Sequence, residues 1–160
     1  MIQQRVYRSN AFNHSWWEFK IGFNDIGNYW IGNEKLSQLT LTNRYKLRID
    51  FQSRMNNKWY YAEYSTFVVR PESENYRLNV SGYSGNSGDS FSYQNGMMFT
   101  TNDRDNDPRP GNCAVDSGGG WWHKDCCKWC LNNHISFWLD GNGMHPLPFL
   151  QSTSMVLHCK

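Results

Sequence analysis

Residues 93–130, YQNGMMFTTNDRDNDPRPGNCAVDSGGGWWHKDCCKWC, concentrate five of the 14 acidic residues, five of the 13 glycines and four of the five cysteines of the 160-residue chain. Asp103, Asp105 and Asp107 alternate along a segment that Pro108 and Pro110 keep from becoming a helix, since proline lacks a donor N–H and biases its predecessor toward extended backbone. The result is a loop crowded with carboxylates. Like charges that close repel one another, and a hard cation that takes six to eight oxygen ligands is a common way to hold them. The pattern is not an EF-hand: no glycine follows the third acid and no Glu closes the loop. A solvated acidic turn is the competing reading of the same spacing.

Several stretches carry a resemblance to a known family. NGMMFTTNDRDND (95–107), GNCA (111–114) and GGGWW (118–122) resemble the fibrinogen C-terminal domain family, which includes ficolins, tachylectins, angiopoietins, tenascins and the fibrinogen chains. GFNDIGNYWIGNEKLSQLT (22–40), YKLRIDF (45–51), YYAEYSTFVV (60–69) and NYRLNVSGYSGNSGDSFSYQNGM (75–97) resemble it too, in the family's order. The match thins beyond Cys126. The resemblance implies one α+β domain over 1–160: a twisted antiparallel sheet with short flanking helices over 1–81, then a loop-rich calcium and ligand-binding region over 82–160. It also implies that Met1–Asn10 is a strand lying well inside the family's domain, with the segment that normally precedes it missing. A strand lost there would leave a sheet edge unpaired.

The same resemblance assigns a site. Mapping the calcium motif gives side-chain ligands Asp105 and Asp107 and carbonyl ligands Arg109 and Gly111. Pro108 and Pro110 depart in residue type but leave their carbonyls in place as acceptors. A disulfide between Cys113 and Cys126 would be worth about 3 kcal/mol in the chain-entropy model. The bond before the second Cys, Asp125–Cys126, is expected to be cis, at a cost of about 3–4 kcal/mol for a non-proline residue. The ligand-binding residues implied are Ser117, Trp122, Asp125, Cys126, Cys127 and Phe137. Two of them depart from the pattern: Cys127 stands where the family has a pocket histidine, and Ser117 where tachylectin-like members have a tyrosine. Trp121, Trp122, Trp129 and Phe137 can line a pocket or fill a core.

The flanking sequence is read from the residues themselves. Ser15 and Glu18 form a capping-box pair ahead of a short helix with Trp16, Phe19 and Phe23 on one face, ended by Gly22 and Gly27. Asn33 is expected to cap a second helix that turns Leu36 and Leu39 inward. Tyr45, Leu47, Ile49 and Phe51 alternate with polar residues as a strand with one buried face. Asn56-Asn57 supplies a turn, Trp59–Val69 returns, Pro71 breaks it, and Tyr76, Leu78 and Val80 begin a third strand.

With 39% hydrophobic residues the chain is long enough for one cored domain, and its 8 Trp, 9 Tyr and 9 Phe must mostly be core. Sixteen basic residues against 14 acidic ones, interspersed, leave no footprint for nucleic acid. No apolar run is long enough for a membrane span, and the N-terminus of the chain as given shows no signal peptide. Secretion is therefore inferred from the family resemblance. Asn13-His14-Ser15 and Asn79-Val80-Ser81 match the glycosylation sequon, which matters only in the secretory pathway. Cys127-x-x-Cys130 with His134 resembles half a zinc site or a redox motif, with no second pair to support either. An odd cysteine left over leaves room for a homo-oligomer. No catalytic motif occurs, and an enzyme is not expected. The expected function is an extracellular calcium-binding, lectin-like module for acetylated carbohydrate, of innate-immune type. The alternatives are a protein-interaction module of the angiopoietin, tenascin or fibrinogen kind that binds a protein receptor, and a degenerate copy without ligand.

Overall fold

The computed structural model describes residues 1–6, 11–53, 56–126, 128–132, 137–140, 143–146 and 150–160. A seven-stranded sheet organises the chain. Its strands are β1 (Gln3–Arg5), β2 (Phe23–Asp25), β3 (Asn28–Trp30), β4 (Tyr45–Ser53), β5 (Trp59–Val69), β6 (Leu78–Gly85) and β9 (Leu150–Cys159), in spatial order β2-β3-β1-β9-β4-β5-β6. Every pairing is antiparallel. A separate hairpin pairs β7 (Phe137–Asp140) with β8 (Gly143–Pro146). Short helices α1 (Trp16–Ile21), α2 (Asn33–Thr40) and α3 (Cys113–Ser117) complete the α+β architecture expected from the sequence.

β4 buries Leu47, Ile49, Phe51 and Ser53 and turns Arg48, Asp50 and Gln52 outward, as strict alternation requires. In β5 the buried set is Ala62 and Tyr64, then Phe67 and Val69, so the inward parity changes in between. Gly82 on β6 sits beside this change with φ +73°, and a Cβ there would overlap the Ser65 hydroxyl. Only glycine meets both conditions cheaply.

β1 is not at an edge. It pairs with β3 on one side and β9 on the other, Gln3 lying opposite both Trp30 and Met155. The edges of this sheet are β2 and β6, and at β6 Leu78 exchanges bonds with Met97 and Gly96 while the Asn95 side chain accepts from Val80 N–H. The frame is also not confined to 1–81. The C-terminal strand β9 runs through the middle of the sheet, with Tyr45 opposite Cys159 and Phe51 opposite Thr153.

Ser15 caps α1 with the full capping box, and Gly22 ends the helix at φ +91°. Phe23, expected on that helix, begins β2 and packs its ring on Phe19 and Phe12. Asn33 does not cap α2: it is the first helical residue, and its side-chain oxygen accepts from the Trp30 indole at 3.1 Å. An indole buried beside it has a stronger need for an acceptor than a solvated helix end has. α2 is tied to the sheet through Thr40 Oγ1, which accepts from Val69 N–H.

Candidate functional site: the acidic loop and the disulfide turn

The loop stretch closes on itself through an antiparallel bridge in which Thr100 and Trp121 exchange backbone bonds of 2.9 and 3.1 Å. Inside that bridge, polar side chains fold the backbone. Asn106 donates to the Phe99 carbonyl, and its N–H donates to Thr100 Oγ1. Asn112 caps α3 by accepting from Ala114 and Val115, and its amide donates to the Thr101 carbonyl.

The three alternating aspartates part company. Asp103 accepts from Trp16 N–H at 2.8 Å and from Thr101 Oγ1, so it locks the loop to the start of α1. Asp105 and Asp107 stay together. Asp105 Oδ1 accepts from Asp107 N–H, while Asp107 accepts from Arg109 N–H and from Cys113 N–H at 2.9 Å. Burial, and also the adjoining Asp105 carboxylate, pushes the Asp107 carboxyl above the usual range despite those two bonds. Two oxygens-only side chains, one half-buried, thus repel each other where the backbone folds back. The Arg109 and Gly111 carbonyls accept no hydrogen bond among the described residues. That donor set is all oxygen and suits a hard cation. No three His, Cys, Asp or Glu side chains among the described residues converge on one point, so any ion here must draw on backbone carbonyls.

Cys113 and Cys126 are joined, with their Cα atoms 5.0 Å apart. The expected pairing is therefore present, and it ties α3 to the turn after the paired tryptophans. The expected cis bond is not: Asp125–Cys126 is trans, and the turn is made by Cys126 itself at φ +44°. Its N–H donates to Cys113 Sγ at 3.1 Å and its carbonyl accepts from Lys124 N–H. A left-handed residue costs about 1–2 kcal/mol, less than a non-proline cis bond, so the chain turns by the cheaper route.

The glycine run has separate duties. Gly118 is the left-handed cap of α3, and Gly120 lies so close to the Phe19 ring that a Cβ would collide with it. Trp121, Trp122 and Trp129 are fully buried. Trp122, expected in a pocket wall, packs edge-on against Phe99 and Trp121, and its indole donates to the Tyr76 carbonyl at 2.7 Å. Ser117 turns its hydroxyl back onto the Cys113 carbonyl. Asp125 is exposed. Arg109 spans the region, with one guanidinium nitrogen 2.7 Å from Cys126 Sγ and 3.1 Å from Asp116. Cys127, His134 and the Phe137 side chain lie outside the described residues.

Sequence reasoning missed His123. Its ring is buried, with Nε2 3.1 Å from the Gly119 carbonyl and Nδ1 3.4 Å from the Cys126 carbonyl, so it braces the glycine run against the disulfide turn. Burial holds its pKa below the ordinary value. The signal available was its place between two buried tryptophans and Cys126. Cys130 is itself disulfide-bonded, which removes it as a thiolate ligand for zinc, and Cys159 is a free, exposed thiol.

Comparison with known proteins agrees with this architecture. The chain is 44% identical over 127 residues to angiopoietin-related protein 2 of Mus musculus and 46% identical over 124 residues to angiopoietin-related protein 1 of Homo sapiens, covering 79% and 77% of this chain. Tenascin-R of Rattus norvegicus is 35% identical over 82% of the chain. The chain spans about a quarter of the length of the two angiopoietin-related proteins, 26% and 25%, and 10% of tenascin-R. Among solved structures, the fibrinogen-like globe domain of human ANGPTL2 superposes with a TM-score of 0.83 at 34% identity, covering 99% of this chain and 78% of that one. The corresponding domain of human ANGPTL6 gives 0.85 at 33%, covering 99% and 77%. Residues 1–145 match the family described as the C-terminal globular domain of fibrinogen beta and gamma chains, and with these relatives beside it the chain belongs to the fibrinogen C-terminal domain family.

Proposed function

We propose that this domain is an extracellular protein-interaction module of the angiopoietin-related and tenascin kind, which presents its disulfide-turned loop region to a protein receptor and carries out no catalysis. The observation that carries this reading is the 46% identity to human angiopoietin-related protein 1 across 77% of the chain. The Cys113–Cys126 bridge supports an oxidising, extracellular setting. The second reading, acetylated-carbohydrate recognition of a lectin-like, innate-immune type, draws less support. Of the side chains expected to touch a sugar, Trp122 is buried and Ser117 is spent on its own helix.

Calcium belongs to the same proposal. Asp105 and Asp107 would hold the ion with the carbonyls of Arg109 and Gly111, and the ion would neutralise the carboxylate pair and stiffen the loop. The exposed thiol of Cys159 is available to link a second copy. The test is to screen the chain against cell-surface receptor ectodomains and against N-acetylated glycans, each with calcium and with EDTA. Capture of a receptor in calcium, with no glycan response, is the expected result. Saturable binding to N-acetylglucosamine with no receptor captured would overturn it.

A further inference from the structure

Tyr93 sits in a 3-10 turn, Phe91–Gln94, whose first and last side chains are buried, so its half-buried ring is fixed in place. Two ammonium groups lie over that one ring: Lys124 Nζ at 4.7 Å from the centroid and Lys128 Nζ at 4.4 Å. Each lysine adjoins a fully buried residue, His123 before the first and Trp129 after the second, so neither anchor point is free to drift. Among the described residues, no carboxylate lies within 4.0 Å of either ammonium. Arg109 is paired with Asp116, and Lys20, Lys46, Arg48, Arg70 and Arg104 have carboxylates of their own.

The ring attracts each cation but does not neutralise its charge, so an anion that reaches either ammonium supplies the counter-charge the described residues do not. We infer that Tyr93, Lys124 and Lys128 form the contact point for an acidic side chain of the protein partner, an inference that rests on the protein-interaction reading above. The site is compact, two charges on one ring, and Asp105, Asp107, Asp116 and Asp125 belong to the same loop region. A single carboxylate fits that setting. A long sulfated glycan needs an extended basic track, which two lysines do not supply.

The probe is a fluorescein-labelled hexaglutamate peptide, titrated by fluorescence anisotropy at low and at high salt, beside hexaglutamine and a heparin hexasaccharide. Hexaglutamate should bind and hexaglutamine should not, and salt should weaken the binding. Lys124→Gln with Lys128→Gln should reduce affinity about tenfold, as expected from two partly exposed ion pairs. Tyr93→Leu should weaken it and Tyr93→Phe preserve it. Lys35→Gln with Lys58→Gln removes the same charge elsewhere on the surface and should leave binding unchanged. Equal losses in the two double variants, no binding of hexaglutamate, or dependence on Lys124 and Lys128 only for heparin would each overturn the inference. Receptor capture by the unaltered chain is scored separately, so a partner that binds regardless of the two lysines sinks this contact and leaves the interaction reading standing.

Discussion

Along β4 and β5 the backbone groups pair strand to strand, Leu47 with Tyr64 through Gln52 with Trp59, and every second side chain of β4 from Leu47 to Ser53 goes into the core. Through the loop region from Phe99 to Trp129 many of them pair with side chains instead: Asn106, Asn112 and Asp107 each take up main-chain groups that no strand partner reaches. The frame is thus stabilised by burial and a cooperative ladder, whereas the loop region is a set of individual polar ties plus one covalent bridge. Removing a tie in the second region should have a local effect, and removing a core side chain a global one.

The largest break should come from Trp122, which belongs to the loop region by sequence and to the core by position. Trp122→Ala is expected to cost about 3–5 kcal/mol in chemical denaturation, in the range for a fully buried aromatic. A loss below about 1 kcal/mol would mark it as a solvent-facing wall, as surface substitutions usually behave. Next comes the ion. If Asp105 and Asp107 hold calcium, a hundredfold excess over Kd stabilises the fold by about 2.7 kcal/mol, so chelation should lower Tm in the wild type and leave Asp105→Ala nearly unmoved. Superimposable melting curves with and without EDTA would remove calcium from the account.

The smallest effect lies where the two regions meet, at the start of α1. Ser15→Ala should cost about 1 kcal/mol through the lost cap. The same contacts act on Glu18: hydrogen bonds from the Ser15 backbone and hydroxyl, with help from His14, hold its carboxyl down at about 2 against an ordinary 4.5. A depressed folded pKa means stabilisation that is present above about 4.5 and is lost as pH falls through about 2. Thermal melts across that window should therefore fall more steeply for the wild type than for Glu18→Gln. Parallel slopes would mean the carboxylate contributes nothing.

Much of the frame is legible in the residues themselves, β9 at its centre excepted. The alternation from Tyr45 to Phe51, the Trp59–Val69 return, the Ser15–Glu18 cap and the Cys113–Cys126 pairing implied by the family motif all stand in the structure. These features are local or carried by residues whose chemistry admits few alternatives. Choices that depend on a distant neighbour become settled only once the chain has folded. Three aspartates at equal spacing look alike in sequence, yet Asp103 is taken by the start of α1 while Asp105 and Asp107 stay beside each other. Asn33 reads as a cap until the Trp30 indole claims it. Paired tryptophans read as wall or core until Phe99 and the Tyr76 carbonyl close around them, and Lys124 and Lys128 look like ordinary surface charge until Tyr93 arrives beneath both. In each case a polar or aromatic side chain has several partners of similar strength, and the fold selects one by bringing it within reach while the others stay in water.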